Sequence, residues 1–200
     1  MFRTRSYTPL PFIVAMLAIP YGWSQWAPAR GDWRSAGIII AAGLLVMAAG
    51  EALRVVAVAH ASPATRTRIV GASRLFCRGP YAHVRNPLYI GNFLILAGTL
   101  IMAWSWFPWL AVIGVVSCCV QYALIVRLEE QALVRDLGDE YLEYKRLVPR
   151  FIPRFTPHRF GDDRVPDYAR ARQSERRTFT SEIILAGLIL LRWYLVFRQG

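Results

Sequence analysis

Acidic side chains are nearly missing from the first 128 residues of this 200-residue chain, which hold only Asp32 and Glu51 against 11 arginines. Lysine is reduced to a single residue, Lys145. The remaining 72 residues carry 13 bases and 11 acids, so a net +9 of the formal +11 falls in the acid-poor part. At 55% hydrophobic and 18% charged residues the composition excludes intrinsic disorder. It also argues against an ordinary soluble domain, whose water-facing surface so few acids would not cover. A bilayer accepts that apolar excess and favours arginine at its cytoplasmic edge.

Cysteine is scarce too. Cys77, Cys118 and Cys119 are an odd number, two of them adjacent in an apolar run, which excludes a disulfide framework. His60, His83 and His158 stand apart from one another and from any cysteine pair, so metal-ligand spacing is lacking and no metal is expected. No serine or cysteine triad, phosphate loop, GxGxxG turn or internal repeat is visible, and the one biased tract is the Arg-rich stretch over 159–177. So basic a chain suggests nucleic acid at first sight. Its arginines flank apolar runs, however, so anionic lipid headgroups are the expected partners and nucleic acid is not.

What is abundant is uninterrupted apolar sequence. Residues 86–126 contain no Asp, Glu, Lys or Arg in 41 positions. As helix that run would measure roughly 60 Å, about twice the hydrocarbon thickness of a bilayer, so it reads as two spans. The break falls at Trp104, Ser105, Trp106, Phe107, Pro108 and Trp109, where indoles suit an interface and proline ends a helix. Residues 6–29 are charge-free but contain Pro20 and Gly22, which predicts a kinked first span. Residues 35–50 are apolar and continue past Glu51 and Arg54, which lie three apart on one helix face and can pair. The fold expected is all-α: a polytopic membrane helix bundle with spans at about 9–28, 35–60, 87–104 and 109–126. An amphipathic cytoplasmic helix follows at about 127–148, then an Arg-rich linker over 154–182 and an apolar helix over 183–197, a fifth membrane helix that either spans or lies at the interface.

Loop charges set the orientation. Residues 62–85 hold five arginines and no acid, the turn at 105–108 has no charge, and charge returns after Arg127. The basic loop, the polar tail and the N-terminus therefore share the cytoplasmic side, and a bacterial inner membrane is the expected location. A cleaved signal peptide fits poorly, because Pro28 sits at the would-be cleavage point.

Two segments carry chemistry. Asn86-Pro87 is a helix start, since Asn accepts from orphan amides and Pro suits the first helical position. It exposes a positive helix end beside Arg85, with Tyr89 one turn in and Gly91 leaving room for a ligand or a second helix. Where the fourth span ends, Glu129 and Glu130 place two carboxylates at a membrane exit and call for partners. Beyond them Leu133, Leu137, Tyr141, Tyr144 and Val148 form a helical apolar stripe interrupted by Gly138, ended by Val148-Pro149-Arg150.

The run from Gly79 to Gly91, followed after 37 residues by Glu129-Glu130 and then by Gly138, Tyr141, Tyr144 and Val148-Pro149-Arg150, resembles the isoprenylcysteine carboxyl methyltransferase and phospholipid methyltransferase superfamily of membrane enzymes. The resemblance covers roughly residues 50–153, and its signature is an Arg-His-Pro-x-Tyr-x-Gly segment with a downstream Glu-Glu pair. The family His is Asn86 here. A capping and hydrogen-bonding role passes to Asn, whereas a proton-transfer role does not.

The resemblance implies a membrane methyltransferase domain over 1–153 that binds S-adenosylmethionine on the cytoplasmic side, beneath a cover formed by the C-terminal helix. The implied cofactor residues are Tyr81, Arg85, Asn86, Pro87, Tyr89, Gly91, Glu129 and Glu130. It implies a lipophilic or lipidated acceptor drawn from the bilayer, with isoprenylcysteine-type carboxylate O-methylation favoured and phospholipid N-methylation as the alternative. An ionised carboxylate needs no base but needs an arginine to orient it; Arg150 is the first candidate and Arg54 the second. Two other classes stay open, an NADPH-dependent membrane reductase and a non-catalytic basic membrane adaptor.

Overall fold

The computed structural model describes residues 10–19, 24, 26–29, 31–61, 78–158 and 165–198. The described residues fold as helices α1 (Leu10–Ala18), α2 (Trp33–His60), α3 (Pro87–Ala103), α4 (Trp109–Leu137), α5 (Asp139–Leu147) and α6 (Tyr168–Arg198), with a single 3-10 turn at Gly79–Ala82 before α3. Helices α2, α4 and α6 are long and apolar enough to cross a membrane, and α3 is a shorter apolar helix. The chain itself covers only 28%, 22% and 17% of their apolar windows. Side chains such as Leu45, Val116, Leu124 and Ile184 are consequently exposed, a surface that only a lipid environment accommodates at this extent. The protein is an integral membrane helix bundle.

Local sequence explains where the helices begin and end. Asp32 accepts the backbone N–H of Ser35 at 3.1 Å ahead of α2. Asp167 does the same for Arg170 at 2.9 Å ahead of α6. Each aspartate thereby satisfies one of the amides that a helix leaves without an intrahelical acceptor. The hydrogen bonds from Ser35 hold the Asp32 carboxyl below its ordinary range. Between α3 and α4 the turn occupies the expected Trp-rich segment, with Trp104 and Trp106 at positive φ and Trp104 stacked on Phe107 at 3.9 Å.

The chain divides into two compact units, and α2, α3, α4 and α6 each contribute to both. The first unit comprises residues 1–48, 94–118 and 178–200. Its core gathers Met16, Met47, Met102, Ile189, Trp193 and Phe197. Gly43 of α2 and Gly98 of α3 pack so closely that a Cβ on either would lie 2.6 Å from the other's carbonyl oxygen, the close approach that small residues allow between membrane helices. Arg192, which interrupts the apolar part of α6, donates to the carbonyls of Ala103 and Ile19 and to Ser105 Oγ. Neutral oxygens thus help to solvate its charge.

The second unit comprises residues 49–93 and 119–177. Here the segment after α5 runs along the approach to α3: Arg85 N–H donates to the Pro149 carbonyl, Arg154 N–H to His83, and His158 N–H to Ala82, at 2.9–3.0 Å. Val58 and Ala59 of α2 pack with Ala171 of α6.

Three extents differ from the sequence reading. Helix α4 continues to Leu137, and Gly138, at φ 57° and ψ −130°, separates it from α5, so the single helix expected over 127–148 is two. That backbone region is open essentially to glycine alone. Helix α6 begins at Tyr168 rather than at 183, so much of the expected linker is helical. Helix α1 is nine residues long, and Pro20 and Gly22, where a kink is expected, lie outside the described residues. The basic loop over 62–77 and residues 159–164 lie outside them as well.

Candidate active site

Pro87 is buried at the first position of α3, and the Asn86 carbonyl accepts from Tyr89 N–H at 3.2 Å and Ile90 N–H at 3.3 Å. The Asn86 side chain does something other than the expected capping. Its Nδ2 donates to the Arg150 carbonyl at 3.2 Å and so ties the start of α3 to the segment after α5. The Tyr81 carbonyl accepts the hydroxyl of Tyr144 at 2.8 Å, a second tie of the same kind. Tyr141, Tyr144 and Val148 are buried together with Leu133, Val134 and Leu137 beside them, which is the apolar stripe read from the sequence.

The two adjacent carboxylates part company, because successive helical residues point about 100° apart. Glu129 accepts the Tyr89 hydroxyl at 2.7 Å, and the Tyr89 ring lies 4.8 Å from that of Tyr122. Glu130, only 3% exposed, takes Arg85 Nε at 3.0 Å and Arg150 Nε at 3.2 Å, with Arg150 Nη2 on its second oxygen. Arg85 is itself 8% exposed in its side chain and donates Nη1 to the Lys145 and Val148 carbonyls at the end of α5. Those carbonyls lack intrahelical donors, so the guanidinium satisfies the helix end and the carboxylate together. Hydrogen bonding to Glu130 holds Arg150 above the ordinary guanidinium range, and its side chain stays 38% exposed. It faces an open cavity of about 540 Å³ whose walls also include Arg127, Glu130, Gln131 and Lys145.

Arg54 belongs to a separate set of bonds. It donates to Glu175 through Nε at 3.1 Å and through Nη2, and to Asn92 Oδ1 through Nη1, while the Glu51 carboxylate lies 3.5 Å from Nε as the three-residue spacing predicts. Gly91 packs against this group: a Cβ there would fall 2.6 Å from Arg54 Cγ and 2.9 Å from the Gly50 carbonyl oxygen. The space Gly91 leaves is therefore taken by another helix. Glu175, 2% exposed, and Asn92 were not singled out from the sequence. A signal for Glu175 exists: Ala171, Glu175, Ala186, Ile189, Trp193 and Phe197 are all buried, at helical spacing on one face of α6. Among the described residues no group of His, Cys, Asp or Glu is arranged to hold a metal ion.

Apolar helices in a membrane, whose ends carry a partly buried Arg–Glu–Arg clasp and a Tyr–Glu pair, define the class: a polytopic membrane protein with a polar site at its helix ends. A model of the phospholipid methyltransferase family matches residues 37–140, and the chain belongs to that family. It is 36% identical over 126 residues to protein-S-isoprenylcysteine O-methyltransferase of Rattus norvegicus, covering 56% of this chain and 40% of that protein. It is 30% identical over 143 residues to a nickel-cobalt-cadmium resistance protein of Alcaligenes xylosoxydans xylosoxydans, covering 72% of this chain and 61% of that one. A shorter match, 39% over 74 residues, joins it to methanethiol S-methyltransferase of Crocosphaera subtropica, covering 36% of this chain and 27% of that protein. The chain thus spans less than two thirds of each of these relatives. No solved structure gives a significant match.

Proposed function

We propose that the protein is an S-adenosylmethionine-dependent methyltransferase acting on a lipophilic acceptor that reaches it from the bilayer, with its site and N-terminus on the cytoplasmic side of a bacterial inner membrane. The observation that carries this reading is the bonding of the two halves of the family signature, Tyr89 to Glu129 and Arg85 to Glu130, across about forty residues of sequence. Family membership supports it, as do relatives named for methyl transfer to oxygen and to sulfur.

The residues fit the cofactor chemically. Glu129 and the Tyr89 hydroxyl offer acceptors suited to ribose hydroxyls or to positive charge, and Asn86 offers an amide beside the start of α3. The cofactor supplies a methyl group on a positively charged sulfur. The chain's own task is then positioning: Arg85 fixes Glu130 and the end of α5, and the Gly91 contact fixes α3 against α2. Carboxylate O-methylation remains the favoured reaction, with Arg150, held on Glu130 but partly exposed, as the group that orients an ionised acceptor. Arg54, enclosed by Glu51, Asn92 and Glu175, acts as a positioning residue in this reading.

Incubation of the purified protein with methyl-labelled cofactor and membrane extract tests the proposal. Label in a base-labile lipid ester is the expected result. Label in a phospholipid headgroup would replace the carboxylate acceptor by an amine, and no incorporation together with no binding of S-adenosylhomocysteine would refute the methyltransferase reading.

A further inference from the structure

The cavity beside α4 has a charge that the methyl-transfer reading leaves unused. Arg127 and Lys145 line it beside Arg150, and among the described residues its one carboxylate, Glu130, is already paired with Arg85 and Arg150. The side chains of Arg127 and Lys145 are exposed and have no ion-pair partner among the described residues. Arg127 is also the first charged residue after the 41-residue charge-free run, which places it at the depth where hydrocarbon gives way to headgroups. Flanking it on α4, Val120, Leu124 and Leu128 are 54–59% exposed at four-residue spacing, an apolar lipid-facing track beside Arg127, and Val134 and Leu142 complete the cavity wall. Cations at the end of a lipid-facing track match one kind of molecule, an amphiphile with an anionic head.

We infer that this cavity is a binding seat for the phosphate of an anionic membrane lipid, with Arg127 and Lys145 on the phosphate, Gln131 donating beside them, and the acyl chains lying along Val120, Leu124 and Leu128. Arg127 belongs to α4 and Lys145 to α5, so a bound phosphate joins two helices that meet at the Gly138 break. Resting on that reading of Arg150, the inference makes the lipid an accessory ligand held by Arg127 and Lys145, beside the Arg150 that orients the acceptor.

Native mass spectrometry of the full chain in detergent, with phosphatidylglycerol, phosphatidylcholine or glycerol 3-phosphate added, tests the inference without any need for activity. Phosphatidylglycerol is expected to be retained in preference to phosphatidylcholine. Arg127→Gln and Lys145→Gln should each weaken retention about fivefold, as for loss of one charge near a lipid headgroup, whereas Arg146→Gln and Arg135→Gln, outside the cavity, should leave it unchanged. Equal retention of phosphatidylcholine, or equal loss in all four variants, would overturn the seat. Glycerol 3-phosphate binding as well as the lipid would make it a site for a free anion and overturn the lipid assignment. Displacement of the retained lipid by S-adenosylhomocysteine or by N-acetyl-S-farnesylcysteine would assign the cavity to the reaction itself and overturn the accessory role.

Discussion

Tyr89 donates its hydroxyl to Glu129 at 2.7 Å, joining the first turn of α3 to the C-terminal part of α4. A hydrogen bond to a carboxylate contributes about 1.5–3 kcal/mol and also sets the direction in which its free oxygen points. Tyr89→Phe and Glu129→Gln are expected to weaken S-adenosylhomocysteine binding by about tenfold or more, measured by calorimetry in detergent. Glu140→Gln, exposed on α5, serves as the comparison. Equal affinity in all three variants would remove the pair from the cofactor site.

Glu130, buried between two arginines, is expected to act on stability more than on binding. Replacing it by Gln leaves Arg85 buried without a counter-charge, a change that costs about 3–5 kcal/mol where an ion pair is buried. Glu130→Gln should lower the midpoint of thermal unfolding far more than Arg150→Gln, because Arg150 is the exposed partner. Equal midpoints would show that Arg85 is held by the Lys145 and Val148 carbonyls alone.

Gly91 is a packing residue in this structure. Gly91→Ala places a methyl group against the Gly50 carbonyl, which is backbone and cannot swing aside, so a loss of about 1–3 kcal/mol is expected from overpacking. Gly187→Ala, with nothing within 4 Å of its added carbon, should be neutral or stabilising by up to about 1 kcal/mol. The two variants compared in one unfolding series decide the point.

Glu175 and Arg54 form a unit. Either Glu175→Gln or Arg54→Gln removes one charge of a buried pair, and the double variant should be less destabilised than the two single losses added together. Strict additivity would show that the two side chains act independently.

Asn86→His restores the residue found in the family signature. A ring N–H can donate to the Arg150 carbonyl that now accepts from Asn86 Nδ2. Methyl transfer is expected to be kept or raised, read by label incorporation at equal protein. A folded but inactive variant would mean that the surroundings of residue 86 are built for the amide.

Much of the architecture was legible from local patterning. The Trp-rich break after Ala103 and the stripe through Tyr141, Tyr144 and Val148 lie where spacing and residue type put them. The Glu51–Arg54 pair was legible too, since three residues along a helix bring two side chains together whatever else surrounds them. The extent of α6 was not, because charges at residues 170–177 look like a solvated linker until Arg54 is seen to accommodate Glu175.

The sequence by itself determined that this is a membrane protein, where its apolar helices lie and which signature it carries, because hydropathy and chemical spacing along the chain are local properties. Only the tertiary structure decided that Glu129 faces Tyr89 while Glu130 faces two arginines, and that Arg54 is enclosed by groups from three helices. Which carboxylate meets which arginine depends on how helices distant in sequence are turned about their axes, and no spacing along a single helix records that rotation.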